Sequence, residues 1–386
     1  MHKVQLSYAL KPDEPGTPLL RNSLLDLLHA VQASGSISAA AKAMQFSYRH
    51  VWGELKRWEA ELGQDLIVWD KGQSARLSEF GDKLLWAERQ AQARLAPQIA
   101  ALRADLERAF AVAFDPEAHV LTFYASHDDA LACLHQHAAA HARLHLDIRF
   151  TGSVDAIQAL NQGRCVMAGF HTLHQPDTHS QSARIYQPLL KPGLHKIIGF
   201  ASRQQGLIVA RGNPLGIAAL HDLARPVGGS ATASVEPNAR ANAPLRFVNR
   251  AIGTGTRLLL DELLANASIT PQQIAGYASA EPSHAAVAQA VASGRADAGL
   301  GIAASAQSHG LGFVPLIEER YHLVCLKSAL DQPAVQALLA VLRSRDWQAA
   351  LATITGYAPA ESGQVLAMHK LLPWWAFKRP RMAKPR

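Results

Sequence analysis

Cysteine is scarce in this 386-residue chain: Cys133, Cys165 and Cys325 stand far apart and form no CxxC pair. That excludes a disulfide framework, argues against a structural metal site and suits a reducing compartment. Long apolar runs are also missing. Although 48% of the residues are hydrophobic, no run approaches the roughly 20 needed to span a bilayer. The opening MHKVQLSYALKPDE has no apolar segment after its single lysine, so it does not read as a secretory signal. The expectation is a cytoplasmic protein with no membrane partner. Acidic residues are thin in two places of a chain whose net charge is +7. Residues 42–58 carry Lys42, Arg49, Lys56 and Arg57 against Glu54 alone, and beyond Lys370 come Lys378, Arg379, Arg381, Lys384 and Arg386 with no acid. Both stretches suit polyanion contact, although a basic end is also what a solvated terminus looks like.

Catalytic signatures are wanting too. Gly253-Thr254-Gly255-Thr256-Arg257 lacks the Gly-Lys-Ser/Thr ending of a nucleotide-hydrolysing loop. Ser126, His127 and Asp128 are adjacent, so they point different ways and cannot form a proton relay. His137, His141 and His145, and the set His171, His174 and His179, have no acidic or cysteine ligand at a standard spacing, which favours an exposed helix face and a polar loop over a metal. Neither an enzyme nor a cofactor is expected.

What is present centres on residues 35–70. A short helix capped by Ser38, a tight turn at Gln45-Phe46 and a second helix capped by Ser47 are predicted. In the second helix Val51, Leu55, Trp58 and Leu62 step by four, three and four, giving an inward face. Tyr48, Arg49, His50, Lys56 and Arg57 occupy the other side. Residues 66–69 and 75–78 flank a turn at 71–73 and read as a hairpin. Together these make a winged helix-turn-helix, the arrangement that places a helix in the major groove. The plain alternative is a surface helix pair with a solvated basic face. Gln45 stands where the turn usually has glycine, at a cost of about 1 kcal/mol if it is left-handed.

The segments GSISAAAKAM, SYRHVWGELKRWE and LIVWDKGQSARLSEFG resemble the DNA-binding domain of the molybdate-responsive ModE regulators and, more loosely, that of LysR-type regulators. The resemblance implies a double-stranded DNA operator as partner, a recognition helix opening at Ser47, Tyr48, Arg49 and His50, and Arg76 on the wing near phosphates.

Around this domain the pattern is regular. Val4, Leu6, Tyr8 and Leu10 alternate as a strand, and a helix over 19–33 turns Leu20, Leu24, Leu27, Leu28 and Val31 inward. From Glu79 to about Phe114 the chain reads as one helix, with Leu95, Ile99, Leu102, Leu106 and Ala109 on a heptad seam and Pro97 predicting a kink or break. Such a helix either pairs two copies into a homodimer, with a dimer of dimers also open, or packs on its own domain. After Asp115-Pro116-Glu117 strands and helices alternate: strands over 120–124, 146–150, 165–170, 196–200, 206–210, 245–248, 297–300 and 321–325, helices over 128–142, 154–162, 256–264 and 283–293, then 333–342 and 347–353. This implies an α/β fold with a parallel sheet and ligands at the carboxyl ends of its strands.

Several strand ends run directly into small polar residues that open a helix: Ser126-His127-Asp128, Thr151-Gly152-Ser153 and residues 253–257. Unpaired N–H groups and the helix dipole make such starts an anion cradle when they converge. Residues 206–217, 246–264 and 296–304, with Asp222-Leu223, resemble the type 2 periplasmic-binding-protein fold, in the version found on regulators and beside molybdopterin synthesis. The resemblance implies two lobes with a ligand between them. Ser126, Ser153, Arg203, Thr254, Gly255, Thr256 and Arg257 would line the cleft, with His127, His171, Ser283 and His284 as further candidates. The expected domains are 1–82 (winged helix), 83–114 (linker and dimerisation helix), 115–370 (sensor, with lobe I at 115–200 and 320–370 and lobe II at 201–319) and 371–386 (basic tail, after a Trp374-Trp375 docking segment). The function implied is a transcription regulator sensing a small anionic effector: molybdate or tungstate first, with formate or a molybdenum-cofactor species open. The alternative is a cytoplasmic binding protein or chaperone for a molybdenum species with no DNA-binding role.

Overall fold

Three polar side chains, Asn22, Ser36 and Ser47, start the helices of the first unit in a computed structural model that describes residues 22–69, 75–115, 117–174, 176–224 and 244–375. The chain divides into two units, Met1–Gln92 and Ala93–Arg386. In the first, α1 (Ser23–Ser34), α2 (Ile37–Ala43) and α3 (Tyr48–Leu62) precede a wing of β1 (Ile67–Val68) and β2 (Arg76–Leu77), paired antiparallel. Ser47 caps α3 as expected, accepting from the His50 N–H at 3.1 Å. Ser38 does not cap α2. The cap and the helix start lie two residues earlier, so that Ile37 reaches the core, and Ser36 Oγ accepts from the Ala39 N–H at 3.1 Å. Gln45 does occupy the left-handed region, at φ 59°. Leu24, Leu28, Val31, Ile37, Val51, Leu55, Leu66 and Leu77 form the core, with Trp58 and Leu62 half-buried at its edge. Glu59 is the surprise on this face. It is buried, and its Oε1 accepts from the N–H groups of Leu66 (2.9 Å) and Ile67 (3.2 Å), pinning the wing to α3. The strand expected over 4–10, the wing turn at 71–73 and the basic tail from 376 lie outside the described residues.

α4 runs from Glu79 to Phe114 and continues past Pro97 rather than breaking there. One missing i→i−4 bond is tolerated in a helix with long flanks on both sides. Leu95 and Leu102 on the heptad seam, and Phe110 near it, are exposed in the single chain.

The second unit is built in chain order from β3 (His119–Ala125), α5 (Asp129–Ala142), β4 (Leu144–Phe150), α6 (Ser153–Asn161), β5 (Met167–Leu173), α7 (Gln181–Tyr186) and β6 (His195–Val209). There follow β7 (Phe247–Arg250), α8 (Gly255–Asn266), β8 (Ala280–Glu281), α9 (His284–Ala292), β9 (Ala298–Ile302), α10 (Ala303–Ser308) and β10 (Gly312–Leu326). Closing it are α11 (Pro333–Arg343), α12 (Arg345–Ala352), β11 (Tyr357–Pro359), β12 (Val365–Leu366) and α13 (Met368–Leu371).

The strand order is β4-β3-β5-β10-β6-β9-β7-β8, with β11 and β12 on β6. The sheet is mixed rather than parallel throughout. β3 pairs parallel with β4 and β5, and β7 with β8 and β9, but β10 runs antiparallel to β5 and β6, and β9 to β6. The two strands expected at 196–200 and 206–210 are one. Ser202-Arg203-Gln204-Gln205 interrupts the apolar pattern and looks like a turn, yet Ser202, Arg203 and Gln205 are buried strand residues. The strand expected at 321–325 likewise extends back to Gly312. β6 and β10 therefore cross between two lobes. One packs Phe123, Leu134, Ile148, Phe200, Tyr321 and Trp347 on one face of its sheet and Ile157, Phe170, Tyr186 and Trp374 on the other. The second lobe packs Leu207, Phe247, Leu260 and Leu300, and separately Ile208, Val287 and Val291. His137 and His141 stack on α5 with ring centroids 4.2 Å apart, but His145 lies beyond that helix, buried on β4. Among the described residues no helix is long and apolar enough to cross a membrane.

Candidate ligand site and nucleic-acid interface

The outward side of α3 is cationic and aromatic. Tyr48, Arg49 and His50 are exposed in its first turn, with the His50 ring 4.8 Å from that of Phe46. Lys56 lies over the Trp52 ring at 4.8 Å and pairs with Glu59 at 2.6 Å, and Arg57 pairs with Glu54 at 2.6 Å. Trp52 stacks on Trp69 of the wing edge. Ser38 and Arg76 are exposed on α2 and β2. Arg49 and Tyr48 thus stand at the helix start, the part that reaches base edges when such a helix enters a groove.

The second site is buried where the crossing strands pass between the lobes. Its frame is an ion cluster. Arg203 on β6 donates through Nε to Glu319 Oε1 on β10 and through Nη1 to Asp128 Oδ2 at the start of α5. Tyr357 OH donates to the same Asp128 oxygen at 2.7 Å. Gln205 Nε2 donates to Glu319 Oε1 (2.8 Å) and to Thr256 Oγ1 (3.0 Å), tying β6 to α8. All of these side chains are buried. A cation shared by two carboxylates and satisfied by further hydrogen bonds is a fixed scaffold, not a free ligand donor.

Around that frame lie polar groups that have no hydrogen-bond partner among the described residues: Ser126 Oγ, Ser153 Oγ, both nitrogens of His171, His284 Nδ1, Tyr321 OH, Gln205 Oε1 and Arg250 Nε. Leaving such a group buried and unsatisfied costs about 1–3 kcal/mol, so a cluster of them marks a place built to be filled. Arg250 is the sharpest case. It ends β7 at 1% exposure, and among the described residues its guanidinium makes one long contact, Nη1 to the Glu281 carbonyl at 3.5 Å. Burial, and then Arg203, pull its pKa down to about 9 while Asp128 offsets part of this, so it is still cationic at neutral pH. The imidazoles are neutral there. Burial first and the nearby arginines next hold His171 and His284 well below their ordinary value, and burial with Arg250 brings His127 to about 4. His171 stacks on Tyr321 with centroids 3.9 Å apart, and His127 lies beside Phe150.

The expected residues divide accordingly. Ser126, Ser153, His171 and His284 present open polar atoms, and α6 begins at Gly152 with no side-chain cap. Thr254 is occupied: its hydroxyl accepts from the Arg257 N–H (3.3 Å) and donates to the Ala251 carbonyl (2.8 Å). Thr256 accepts from Gln205, and Arg203 is held in the frame. Arg257 points elsewhere, its Nε donating to Asp261 at 3.2 Å and its plane 4.0 Å over the Tyr277 ring. Ser283 caps α9 and donates to the Ala93 carbonyl. Sequence reasoning missed Arg250, Tyr321 and Gln205. For Arg250 the signal was there, since it sits at a strand's carboxyl end just before the 251–255 loop.

Glycine governs how closely the lobes meet. A Cβ on Gly152 would stand 2.6 Å from the Gly253 carbonyl oxygen, and one on Gly255 would meet the His171 ring at 3.1 Å. Gly152→Ala is expected to hold the lobes apart at a cost of roughly 1–3 kcal/mol. Small-angle scattering should show the sensor unit more open, with any interlobe anion bound about 10-fold or more weakly.

Residues 134–343, more than half of the chain, match the family model of the PBP superfamily domain, and residues 23–82 match that of the bacterial regulatory helix-turn-helix protein, lysR family. The chain is 31% identical over 218 residues to Uncharacterized protein YvgK of Bacillus subtilis (strain 168), covering 56% of this chain and 64% of that protein, slightly under two thirds of its length. It is 34% identical over 110 residues to an uncharacterized protein in the ferredoxin 2Fe-2S gene 5' region of Clostridium pasteurianum, covering 28% of this chain and 97% of that one. Among solved structures, the Corynebacterium glutamicum OxyR C206 mutant is similar at a TM-score of 0.41 and 16% identity, covering 86% of this chain and 93% of that chain. The chain belongs to the PBP superfamily, and ahead of that domain it carries the helix-turn-helix of the LysR family of bacterial regulatory proteins.

Proposed function

We propose that this protein is a cytoplasmic transcription regulator that binds operator DNA through α3 and the wing and senses a small oxyanion between the lobes. The observation that carries the sensing half is Arg250: a buried guanidinium that, among the described residues, has no carboxylate within hydrogen-bonding distance, close enough to the His171 and His284 imidazoles to act on them, in a unit where the hydroxyls of Ser126, Ser153 and Tyr321 also lack a partner among the described residues. A neutral or cationic ligand leaves that charge unanswered, whereas an oxyanion accepts from the guanidinium, from hydroxyls and from the uncapped start of α6. Molybdate or tungstate is the first candidate because of the ModE-like segments, with formate or a molybdenum-cofactor species next. The exposed seam of α4 supports a homodimer, which a two-fold operator would match. Regulation then follows from a difference in anion affinity between open and closed lobes.

Isothermal titration with molybdate, tungstate, sulfate and formate tests the sensing half; no heat with any of the four sinks it. A gel shift on the DNA upstream of the protein's own gene tests the other half, and no shift at low salt supports a binding protein or chaperone instead. Arg49→Ala is expected to weaken that shift about 10–100-fold without lowering thermal stability, as loss of a base or phosphate contact in each subunit would.

A further inference from the structure

Glu281, at the end of β8, has a carboxylate that is 3% exposed and fully engaged. Arg94 of α4 grips it with both arms, Nε to Oε2 at 2.9 Å and Nη2 to Oε1 at 2.7 Å, and Arg295 donates to Oε1 at 2.7 Å. Burial opposes the charge, yet the two arginines hold this carboxyl below its ordinary pKa. The backbone of the same residue faces the ligand site. β7 and β8 place Arg250 opposite Glu281, and the Glu281 carbonyl accepts from the Ala251 N–H at 3.2 Å and from Arg250 Nη1 at 3.5 Å. Two residues later Ser283 caps α9, whose first residue is His284, and Ser283 Oγ donates to the Ala93 carbonyl at 3.0 Å. Neighbouring residues of α4 thus hold both ends of the short turn from which Arg250 and His284 are set.

We propose that this stretch of α4 belongs functionally to the ligand site: Arg94 is a positioning residue that fixes Arg250 through Glu281, while the Ala93–Ser283 contact fixes His284. The inference rests on the oxyanion reading for the identity of the site, but the brace stands on its own contacts. An exposed ion pair holds a side chain only weakly. Here the acid is buried, so withdrawing Arg94 leaves its charge half-answered, and the 281–284 turn must shift or loosen. The reverse also holds. An anion that draws in the Arg250 guanidinium loads the Glu281 carbonyl, and the load passes to α4, because coupling between two sites is reciprocal.

Amide hydrogen exchange on the full chain tests this without any ligand. In Arg94→Gln, peptides covering Ala251 and the first turn of α9 are expected to exchange about 10-fold faster, the size of one lost charge-assisted hydrogen bond, with β3 and α11 unchanged. In Arg250→Gln the peptide spanning residues 88–96 is expected to change in turn. Arg94→Lys, which keeps the charge but not the fork, should give an intermediate rate, and it carries the test if Arg94→Gln does not fold. Titration of Arg94→Gln with molybdate, tungstate, sulfate and formate should show about 10-fold weaker binding for whichever of them the unaltered protein binds. Exchange changes confined to α4, with Ala251 and α9 at their original rates, overturn the proposal. Absence of binding by all four anions to the unaltered protein overturns the oxyanion reading instead, and leaves the exchange result to decide the brace.

Discussion

Arg250→Met is expected to cut anion binding at least about 100-fold while leaving the ligand-free protein as stable as before, or more so. The two halves of that result come from one fact. A guanidinium at 1% exposure, beside the like charge of Arg203 and with only a 3.5 Å contact to a carbonyl, has given up its hydration for very little. The desolvation of such an ion costs several kcal/mol even after relaxation, and methionine fills a similar volume with no charge to solvate. In the ligand-bound state the balance reverses, because truncating one side of a buried charge-assisted contact costs about 2–5 kcal/mol. Calorimetric unfolding should therefore show an unchanged or slightly raised Tm without anion, and the loss of the ligand-induced rise that mass action gives the unaltered protein. A drop of several degrees in the ligand-free Tm would mean that Arg250 is part of the frame and not of the binding site.

Acid should be the other large effect. Between pH 6.5 and 5 the Ala93–Arg386 unit is expected to lose several kcal/mol. A histidine whose folded pKa lies below its unfolded one binds fewer protons when folded, so stability rises with pH between the two values and is lost on acidification. His127 sits at about 4, held there by burial and then Arg250, and His322 at about 3, through burial and then Arg320. His171 and His284 are held well below 6.5 as well. His127 and His322 each account for about 1–2 kcal/mol across this window, and His171 and His284 act in the same direction. Asp129, raised to about 6 by burial and Asp128, and Glu319, raised chiefly by burial, act in the opposite sense, since acid relieves a carboxyl that keeps its proton in the fold. Four imidazoles outweigh two carboxyls. Urea unfolding at pH 7.5, 6.5, 5.5 and 5 measures the slope, and a flat profile would show that these rings gain protons without opening the cleft.

Much of the architecture was legible because its signals are local. The apolar steps of α3, the cap at Ser47 and the left-handed Gln45 could be read directly, as could the alternation that gives β3, β4 and β5 with their helices. What was illegible depends on tertiary pairing. Glu59 carries no mark of its role, because nothing nearby in sequence says that two wing amides will point at it. Arg203 and Gln205 broke an apolar run and so hid a continuous strand, although their partners Asp128, Thr256 and Glu319 lie far away in the chain. The same limit applies at the site. Arg257 has the better local pattern, but Asp261 one turn on and the Tyr277 ring claim it. Arg250, at the carboxyl end of β7, meets no such claimant among the described residues, and that leaves it available.

The order in which the lobes are completed bears on how the protein is made. Phe123, Leu134 and Ile148 share their core with Leu338, Leu342, Trp347 and Leu351 from α11 and α12 near the other end of the described chain. A ribosome adding about 5–20 residues per second emits the first lobe's strands ~10 s or more before the helices that cover them. The helix-turn-helix, whose core is drawn wholly from its own short stretch, needs no such wait. Each nascent chain therefore passes through an interval in which the helix-turn-helix core is complete while the first lobe's sheet still exposes the apolar face that α11 and α12 will cover.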